Sequence, residues 1–202
     1  MANKDHSLDD KIIRAAYDEF LSCGFRDASL HTIADKAGVT TGAIYTRYKN
    51  KDALFTSLLG EFMSSLNDLF APAAEKYAQA GISGSAEDML GAIAFEEQVY
   101  FGLLSNHYEE CTLFFCRSDG SSVEAILDEM MKGKAEKTVE FLQQNCKNKT
   151  NPEAIRFLIG SQFWYFRQLL NACHDIDSTI GCLKEILKFT DAGWKQLFEI
   201  TS

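Results

Sequence analysis

The sequence predicts an all-α fold, and three features of the chain support this prediction. Only two of the 202 residues are prolines. No segment alternates apolar and polar residues as a half-buried strand does, whereas apolar residues recur at helical spacing along most of the chain. Hydrophobic residues make up 46% of the chain, which is ample for a buried core. We expect about nine helices, with a bundle of three in residues 1–50 and a larger helical domain in residues 51–202.

The first predicted helix begins at a start signal and ends at a glycine. Ser7 and Asp10 have the S-x-x-D spacing of a helix N-terminus. The apolar residues that follow mark a single helical face, namely Ile13, Ala16, Tyr17 and Phe20. We expect this helix to end near Gly24.

The next segment predicts two short helices joined by a tight turn. Ser29 is a favourable N-cap for the first of them, and Gly38 lies where it ends, because glycine tolerates the left-handed conformation. Thr40 can cap the second helix, which we expect to extend to Tyr48 and to bury that residue together with Ile44. Small residues at its N-terminal end allow the backbone to approach a groove. This arrangement is typical of a helix-turn-helix, whose second helix enters the major groove of DNA.

Charge is unevenly distributed along the chain. The net charge is −9, yet residues 1–56 contain eight Lys or Arg and eight Asp or Glu, so the whole excess of negative charge lies beyond them. Residues 36–51 contain four cations and no carboxylate. A helix capped by Asn50 has free N–H groups beside Lys49 and Lys51, which is favourable for phosphate. The composition therefore excludes a protein that coats nucleic acid generally and favours DNA contact at this patch alone.

A gap-free set of residues between positions 8 and about 60 follows the pattern of a known family. These residues are Ala15, Ala16, Phe20, Gly24, Phe25, Ile33, Ala34, Ala37, Gly38, Val39, Gly42, Ala43, Ile44, Tyr45, Tyr48, Lys51 and Leu54. Through them the region resembles the DNA-binding region of the TetR family of transcriptional regulators. The resemblance implies phosphate contacts by Tyr45 and Lys51, and contacts to base edges or nearby backbone by Thr41, Gly42, Ala43 and Thr46.

The predicted DNA-contacting residues lie on the two short helices and at the start of the next one. They are Ser29, His31, Thr32, Thr40, Thr41, Gly42, Ala43, Tyr45, Thr46, Arg47, Tyr48, Lys49 and Lys51. Arg47 stands where the family often has His, a departure that affects sequence preference more than the fold. His31 fits a groove-facing residue and a merely exposed histidine equally well, and Tyr48 also fits the core.

Six further helices are predicted beyond residue 50. The fourth starts at residue 51 and extends past Phe70, and Pro72 either kinks it or begins a new segment. A shorter helix is predicted in residues 106–116. The other four helices have N-terminal signals, which are Ser85 with Asp88, Ser121 with Glu124, Asn151 with Pro152, and Asp177 or Ser178. Segments 82–85, 118–122 and 148–152 are predicted as loops.

The middle helices, in residues 86–146, have an unusual density of aromatic residues with polar ones among them. A helical cavity of this composition suits a small, largely apolar ligand, although aromatic residues at helical spacing also fit an ordinary core. The candidate ligand-binding residues are Phe95, Tyr100, Phe101, His107, Tyr108, Phe114 and Phe163. His107, Glu110 and Cys111 share a helical face, but nothing nearby completes a metal-ligand set, so we predict no metal and no cofactor.

The last two predicted helices are apolar on more than one side. Such helices must be covered by other helices, which favours a subunit interface, with a monomeric core as the alternative. Resemblance to the TetR family implies dimerisation through these helices, and a two-fold dimer would read a pseudo-palindrome. The candidate interface residues are Phe157, Trp164, Leu183, Leu187 and Trp194.

Together these features predict a TetR-like DNA-binding repressor that a small, largely apolar ligand releases from its operator. We expect a cytoplasmic homodimer, because the polar N-terminus has no signal-peptide pattern and no apolar stretch is long enough to span a membrane. The six cysteines form no C-x-x-C pair and are expected to be free, buried thiols. Two alternatives stay open: a TetR-like protein that docks to another protein without binding DNA, and a small helical enzyme, which the absence of a catalytic motif disfavours.

Overall fold

The computed structural model describes residues 6–146, 150–173 and 175–198, without the side chains of residues 6 and 7. The described residues form nine α-helices: α1 His6–Asp27, α2 Leu30–Ala37, α3 Thr41–Tyr45, α4 Lys51–Ser83, α5 Ala86–Asn106, α6 Tyr108–Cys116, α7 Ser122–Asn145, α8 Pro152–Ala172 and α9 Ile176–Leu197. The all-α prediction is confirmed.

Two compact units divide the chain. The first contains residues 6–63 and Glu109–Leu127, and the second contains Ser64–Tyr108 and residues 128–198. Helices α4 and α7 contribute several residues to each unit, since α4 passes residue 63 and α7 passes residue 127, and the first residue of α6, Tyr108, belongs to the second unit. The predicted division at residue 50 remains a prediction.

The first unit is built around fully buried apolar side chains from α1–α4, α6 and the start of α7. Phe20 and Phe55 make an edge-to-face contact with ring centroids 4.9 Å apart, and Phe25 lies 5.3 Å from Phe55. Ile33 and Ile44 are completely buried, the latter as predicted, whereas Tyr48, which the sequence predicts to be buried with Ile44, is half-buried. Other fully buried members are Ile12, Leu54, Leu59, Leu113 and Phe114.

The kink at Gly24 in α1 allows hydrogen bonds between this helix and Arg117, the residue after α6. Gly24 has φ +77°, a conformation that residues with a side chain rarely adopt. The change of direction lets the Phe25 N–H donate to the Arg117 carbonyl at 2.7 Å. In return, Nε of Arg117 donates to the Leu21 carbonyl at 2.9 Å. The sequence predicts that the first helix ends near Gly24, whereas α1 has a kink there and continues to Asp27.

The second unit buries apolar side chains from α4, α5, α7, α8 and α9. The rings of Tyr100 and Phe166 are 5.5 Å apart, and those of Phe141 and Phe198 are 5.8 Å apart. The hydroxyl of Tyr108 donates to the Cys173 carbonyl at 3.0 Å and so fixes the end of α8. None of the described helices combines the length and the apolar character that crossing a membrane requires.

Several predicted helix boundaries differ from the structure. α4 continues through Pro72 to Ser83, because Pro72 is exposed and solvent can hydrate the carbonyl that loses its helical partner. The predicted loop at 82–85 is thus shorter than expected. α3 ends at Tyr45, although two further N–H groups, from Arg47 and Tyr48, still donate to the Ile44 carbonyl.

The N-cap of α9 is Asp175, so the prediction of Asp177 or Ser178 is wrong. One carboxylate oxygen of Asp175 accepts from the Ser178 N–H and the other from its hydroxyl, both at 2.8 Å. Asn151 caps α8, as predicted, by accepting from the Glu153 N–H at 2.9 Å. Residues 147–149, which include the first two positions of the predicted loop at 148–152, lie outside the described residues. Residue 174 also lies outside them.

All six cysteines are free, but the expectation that they are buried holds only for some of them. Cys111 and Cys116 are buried, and burial raises the pKa of the Cys111 thiol to about 12. Cys146 and Cys173 are half-buried. Cys23 and Cys182 are exposed, because each lies on the solvent side of its helix.

Candidate DNA interface and ligand cavity

The turn between α2 and α3 has the hydrogen bonds that the sequence predicts. The Ser29 hydroxyl accepts from the His31 N–H at 3.2 Å, and the Thr40 hydroxyl accepts from the Ala43 N–H at 3.2 Å. Gly38 has φ +68°, and the following N–H, that of Val39, donates to the Ala34 carbonyl at 2.9 Å. These bonds fix the angle between α2 and α3, so the exposed side of α3 has a defined position.

The exposed side of this motif presents a small number of polar and aromatic groups. Tyr45 is 56% exposed, and the side chain of His31 is 79% exposed and lies 3.0 Å from a carboxylate oxygen of Asp35. Thr46 and Gly42 are exposed, and the Thr46 hydroxyl donates to the Gly42 carbonyl at 2.8 Å. The other predicted contact residues on these helices are half-buried, namely Thr32, Thr41, Ala43 and Tyr48.

Most of the cations in the predicted patch are engaged within the first unit. Nζ of Lys36 lies 2.8 Å from the buried Glu19 carboxylate, and this bond, ahead of the opposing effect of burial, lowers the pKa of Glu19. Nε of Arg47 is paired with Asp9. The Lys51 ammonium donates to the Arg26 carbonyl at 3.1 Å.

The Lys51 ammonium has two further contacts inside the protein, whereas Lys49 is open to solvent. The Lys51 ammonium also donates to the Ala28 carbonyl at 2.9 Å and lies 4.6 Å from the Phe25 ring centroid. Lys49 is exposed and makes no hydrogen bond or ion pair with any other described residue. The positive charge available to an anion at this surface is thus smaller than the sequence count suggests, and Lys49 contributes most of it.

An apolar cavity lies within the second unit among α4, α5, α7, α8 and α9. Its smaller part measures about 80 Å³ and shares Tyr77, Tyr100 and Phe163 with an open cleft of about 620 Å³. Together these spaces are of a size that suits a small organic molecule. Tyr100 and Phe163 are the two candidate ligand residues in its lining.

The remaining candidate ligand residues lie elsewhere. Phe114 belongs to the core of the first unit, where its ring is 5.7 Å from that of Phe62. Phe95 and Phe101 each lie under a lysine ammonium, at 5.1 Å from Lys76 and 6.0 Å from Lys184. The other two, His107 and Tyr108, lie at the junction between α5 and α6.

The polar end of the cavity is organised around a buried carboxylate, Glu96. Nζ of Lys134 lies 2.8 Å from it, and the hydroxyls of Tyr77 and Tyr100 donate to it at 2.5 and 3.5 Å. Burial, followed by the nearby Glu96 charge, raises the pKa of both tyrosines above their ordinary value. Beside this cluster, burial and the Asp191 carboxylate raise the pKa of Glu97 to about 7.

Sequence reasoning did not select Tyr77, Lys134 or Glu96 as site residues. A signal was present, because Glu96 and Glu97 interrupt an otherwise apolar helix between Met89 and Leu104. A carboxylate in such a position needs a buried partner. The sequence does not say which of the twenty Lys and Arg residues supplies it.

A second apolar surface is exposed on the last two helices. On α8, Phe157 is 77% exposed and Trp164 is 57% exposed, and the two lie one heptad apart on the same face. On α9, Phe189 is also 77% exposed. Leu183 and Trp194, which the sequence suggests for the interface, are buried within the protomer, and with the half-buried Leu187 they line the cavity.

The N-terminal region matches a family model. Residues 12–58 match the model described as bacterial regulatory proteins, tetR family. This segment comprises most of α1, all of α2 and α3, and the start of α4. The match therefore covers the turn and the exposed side chains described above.

Two curated proteins are each similar to about 30% of this chain. The chain is 36% identical over 59 residues to the uncharacterized HTH-type transcriptional regulator YdgC of Bacillus subtilis, covering 29% of this chain and 30% of that protein. It is 39% identical over 62 residues to the uncharacterized HTH-type transcriptional regulator TtgW of Pseudomonas putida, covering 31% of this chain and 46% of that protein. The similarity thus spans less than half the length of each relative.

The whole chain shares its fold with a solved structure. A TetR-like transcriptional regulator from Rhodococcus sp. RHA1 superposes with a TM-score of 0.56 at 18% identity, covering 92% of this chain and 96% of that one. The chain thus shares the all-α fold of that regulator, and residues 12–58 match the tetR family of bacterial regulatory proteins, so the resemblance found in the sequence is confirmed.

Proposed function

We propose that the protein is a homodimeric repressor in the cytoplasm that binds a pseudo-palindromic operator in double-stranded DNA and leaves it when a small molecule occupies the cavity. The observation that carries the proposal is the exposed surface of the helix-turn-helix, with Tyr45, Thr46 and Lys49 open to solvent beside the capped N-terminus of α3. The first three residues of α3, Thr41, Gly42 and Ala43, have small side chains and Ile44 is buried, so the first turn of α3 can approach a base edge closely.

The proposed DNA contacts fall into two groups. Tyr45 and Lys49 would bind phosphates, since both are exposed and the polar end of neither side chain bonds to another described residue. Thr41, Gly42 and Thr46 would face base edges. Ser29 and Thr40 use their hydroxyls as helix caps, so their proposed role is to position N–H groups. Arg47 would have to leave Asp9 before it could reach DNA.

The dimer is proposed to form through the exposed apolar surface of α8 and α9. Exposed Phe157, Trp164 and Phe189 are large apolar side chains that a monomer would leave in water. A two-fold dimer repeats this surface and would place two recognition helices on one duplex. The buried Leu183 and Trp194 would support this face from behind.

Control by a ligand is proposed to act through α4. This helix contributes Phe55 and Leu59 to the core of the first unit, and Tyr77 near its other end lines the cavity. A ligand that moves Tyr77 would therefore bias the position of the recognition helices. Ligand and operator would then each weaken the binding of the other by the same factor.

The experiment is a selection of genomic fragments by the purified protein at low ionic strength. The wild type should enrich a small set of fragments, and Tyr45→Ala with Lys49→Ala should lose the enrichment. Lys132→Ala, an exposed cation on α7, is the matched control and should behave as wild type. Failure of the wild type to enrich any fragment would support the alternative of a TetR-like protein that docks to another protein. The other alternative, a small helical enzyme, is disfavoured by the similarity to regulators.

A further inference from the structure

The charged groups of the cavity are unequal in number. The charged residues that line its smaller part are Glu96, Glu97 and Lys134, and Asp191 lies beside Glu97. Lys134 and Glu96 form an ion pair with a separation of 2.8 Å, so these two charges cancel. The cavity therefore retains the charge of the remaining carboxylates.

The Glu97–Asp191 pair is the source of that charge. Glu97 is half-buried on α5 and lies beside Asp191 from α9, and burial, followed by the Asp191 carboxylate, raises the pKa of Glu97. Within the described part of the chain, neither carboxylate forms an ion pair with a Lys or Arg side chain. The negative charge of Glu97 thus has no cation of its own there.

The walls next to this pair favour positive charge. The rings of Tyr100 and Phe163 line the cavity, and Nζ of Lys134 already lies 5.9 Å from each ring centroid. Phe166 and Trp194 extend the aromatic wall. The face of an aromatic ring attracts a cation and offers apolar contact to the rest of a ligand.

We propose that the cavity binds an apolar organic cation, with its positive group against Glu97 and Asp191 and its apolar body against the aromatic walls. This inference rests on the proposed function, since it names the chemical class of the effector. An anionic ligand would face the carboxylate pair and could gain a cation only by separating Lys134 from Glu96. A neutral ligand would gain the apolar contacts without the ion pair.

Proton release on binding is a consequence of this arrangement. The groups that face Glu97 are Glu96 on its own helix, Lys134 on α7 and Asp191 on α9, with the neutral Gln162 on α8. A cation favours the ionised form of Glu97, so its binding releases the proton of that carboxyl group. Because the pKa of Glu97 is about 7, affinity should rise by about tenfold from about pH 6 to about pH 8 and then level off.

The experiment uses three probes that share one phenylbutyl body and differ only in the head group. They are 4-phenylbutylamine, 4-phenylbutan-1-ol and 5-phenylpentanoate, titrated calorimetrically into the full-length protein. We expect the amine to bind about tenfold more tightly than the alcohol, the magnitude of one partly buried ion pair, and the carboxylate to bind most weakly. The pH series is recorded with the amine and the alcohol.

Glu97→Gln is the test variant, because its amide can still donate to Asp191 and so preserves the local packing. It should bind the alcohol within about twofold of the wild type, lose about tenfold in affinity for the amine and show no pH dependence. Glu87→Gln, an exposed glutamate on the same helix, is the control and should leave all three affinities unchanged. Circular dichroism verifies that both variants are folded.

Three results would overturn the proposal: carboxylate affinity equal to that of the amine, no measurable binding of the amine, or a Glu97→Gln variant that keeps the preference for the amine. Each is separable from the proposed function, because these titrations contain no DNA. If the alcohol or the carboxylate binds and releases an enriched fragment, repressor control stands and the charge class is wrong. If the amine binds as expected and the fragment stays bound, the charge class stands and the proposed control through α4 fails.

Discussion

The exposed phenylalanines of α8 and α9 give a quantitative prediction for dimerisation. Phe157 and Phe189 are each 77% exposed in the protomer. Complete burial of a Phe side chain stabilises by about 1.5–3 kcal/mol, and a two-fold interface contains each residue twice. Replacing either residue by glutamate should therefore weaken the dimer by about 2–5 kcal/mol, which is about 30- to 4,000-fold in Kd.

The assay is sedimentation velocity over a dilution series for the wild type, Phe157→Glu and Phe189→Glu. Ile82→Glu is the control, because Ile82 is 81% exposed on α4, away from the proposed interface. The helical circular dichroism spectrum of each variant should be unchanged, since neither phenylalanine is part of the protomer core. A wild-type protein that sediments as a monomer at micromolar concentration would refute the reasoning, and so would phenylalanine variants that dimerise as strongly as the wild type.

Three further predictions concern the first unit. Gly38→Ala should lower the free energy of unfolding, measured in urea titrations, by about 1 kcal/mol. Since an added Cβ meets nothing within 4 Å, the whole effect comes from the left-handed backbone conformation. Gly102→Ala is the control, because Gly102 has the same open space in a helical conformation, and it should not lower this free energy. The depressed pKa of Glu19 means that its bond to Lys36 stabilises the fold above the ordinary Glu pKa of 4.5 and is lost as the pH falls below it. Acid titrations of Glu19→Gln and wild type should therefore converge at low pH, and curves that stay apart would be inconsistent with this ion pair. Lys49→Ala should reduce the slope of log affinity for DNA against log salt by about 2 per dimer, measured by fluorescence anisotropy, and an unchanged slope would mean that Lys49 does not contact phosphate.

The local parts of the fold could be predicted from the sequence. Gly38, Thr40, Ser85 and Asn151 mark helix ends through their own backbone preferences or side-chain bonds, and the structure has caps at each of them. These signals act within a few residues, so no knowledge of the tertiary fold is needed. Asp175 was missed because Asp177 and Ser178 carry the same type of signal two and three residues later.

The long-range parts could not be predicted in the same way. The sequence shows four cations in residues 36–51, but Lys36 and Arg47 pair with Glu19 and Asp9 from α1. The aromatic density of residues 86–146 indicates a cavity, yet Phe114 is in the core of the first unit. The ion-pair partner of the buried Glu96 is Lys134. Each of these assignments depends on which helices pack together, and helical periodicity specifies the buried face without specifying its partner.

A footprint on an enriched genomic fragment tests the central claim, that the α2–α3 motif binds DNA, most directly. Cleavage by hydroxyl radicals should be suppressed in two symmetric patches whose centres are about one helical turn, or about 10 base pairs, apart. Tyr45→Ala should weaken both patches equally. Uniform cleavage along the fragment at low ionic strength, or protection that Tyr45→Ala leaves unchanged, would contradict the account.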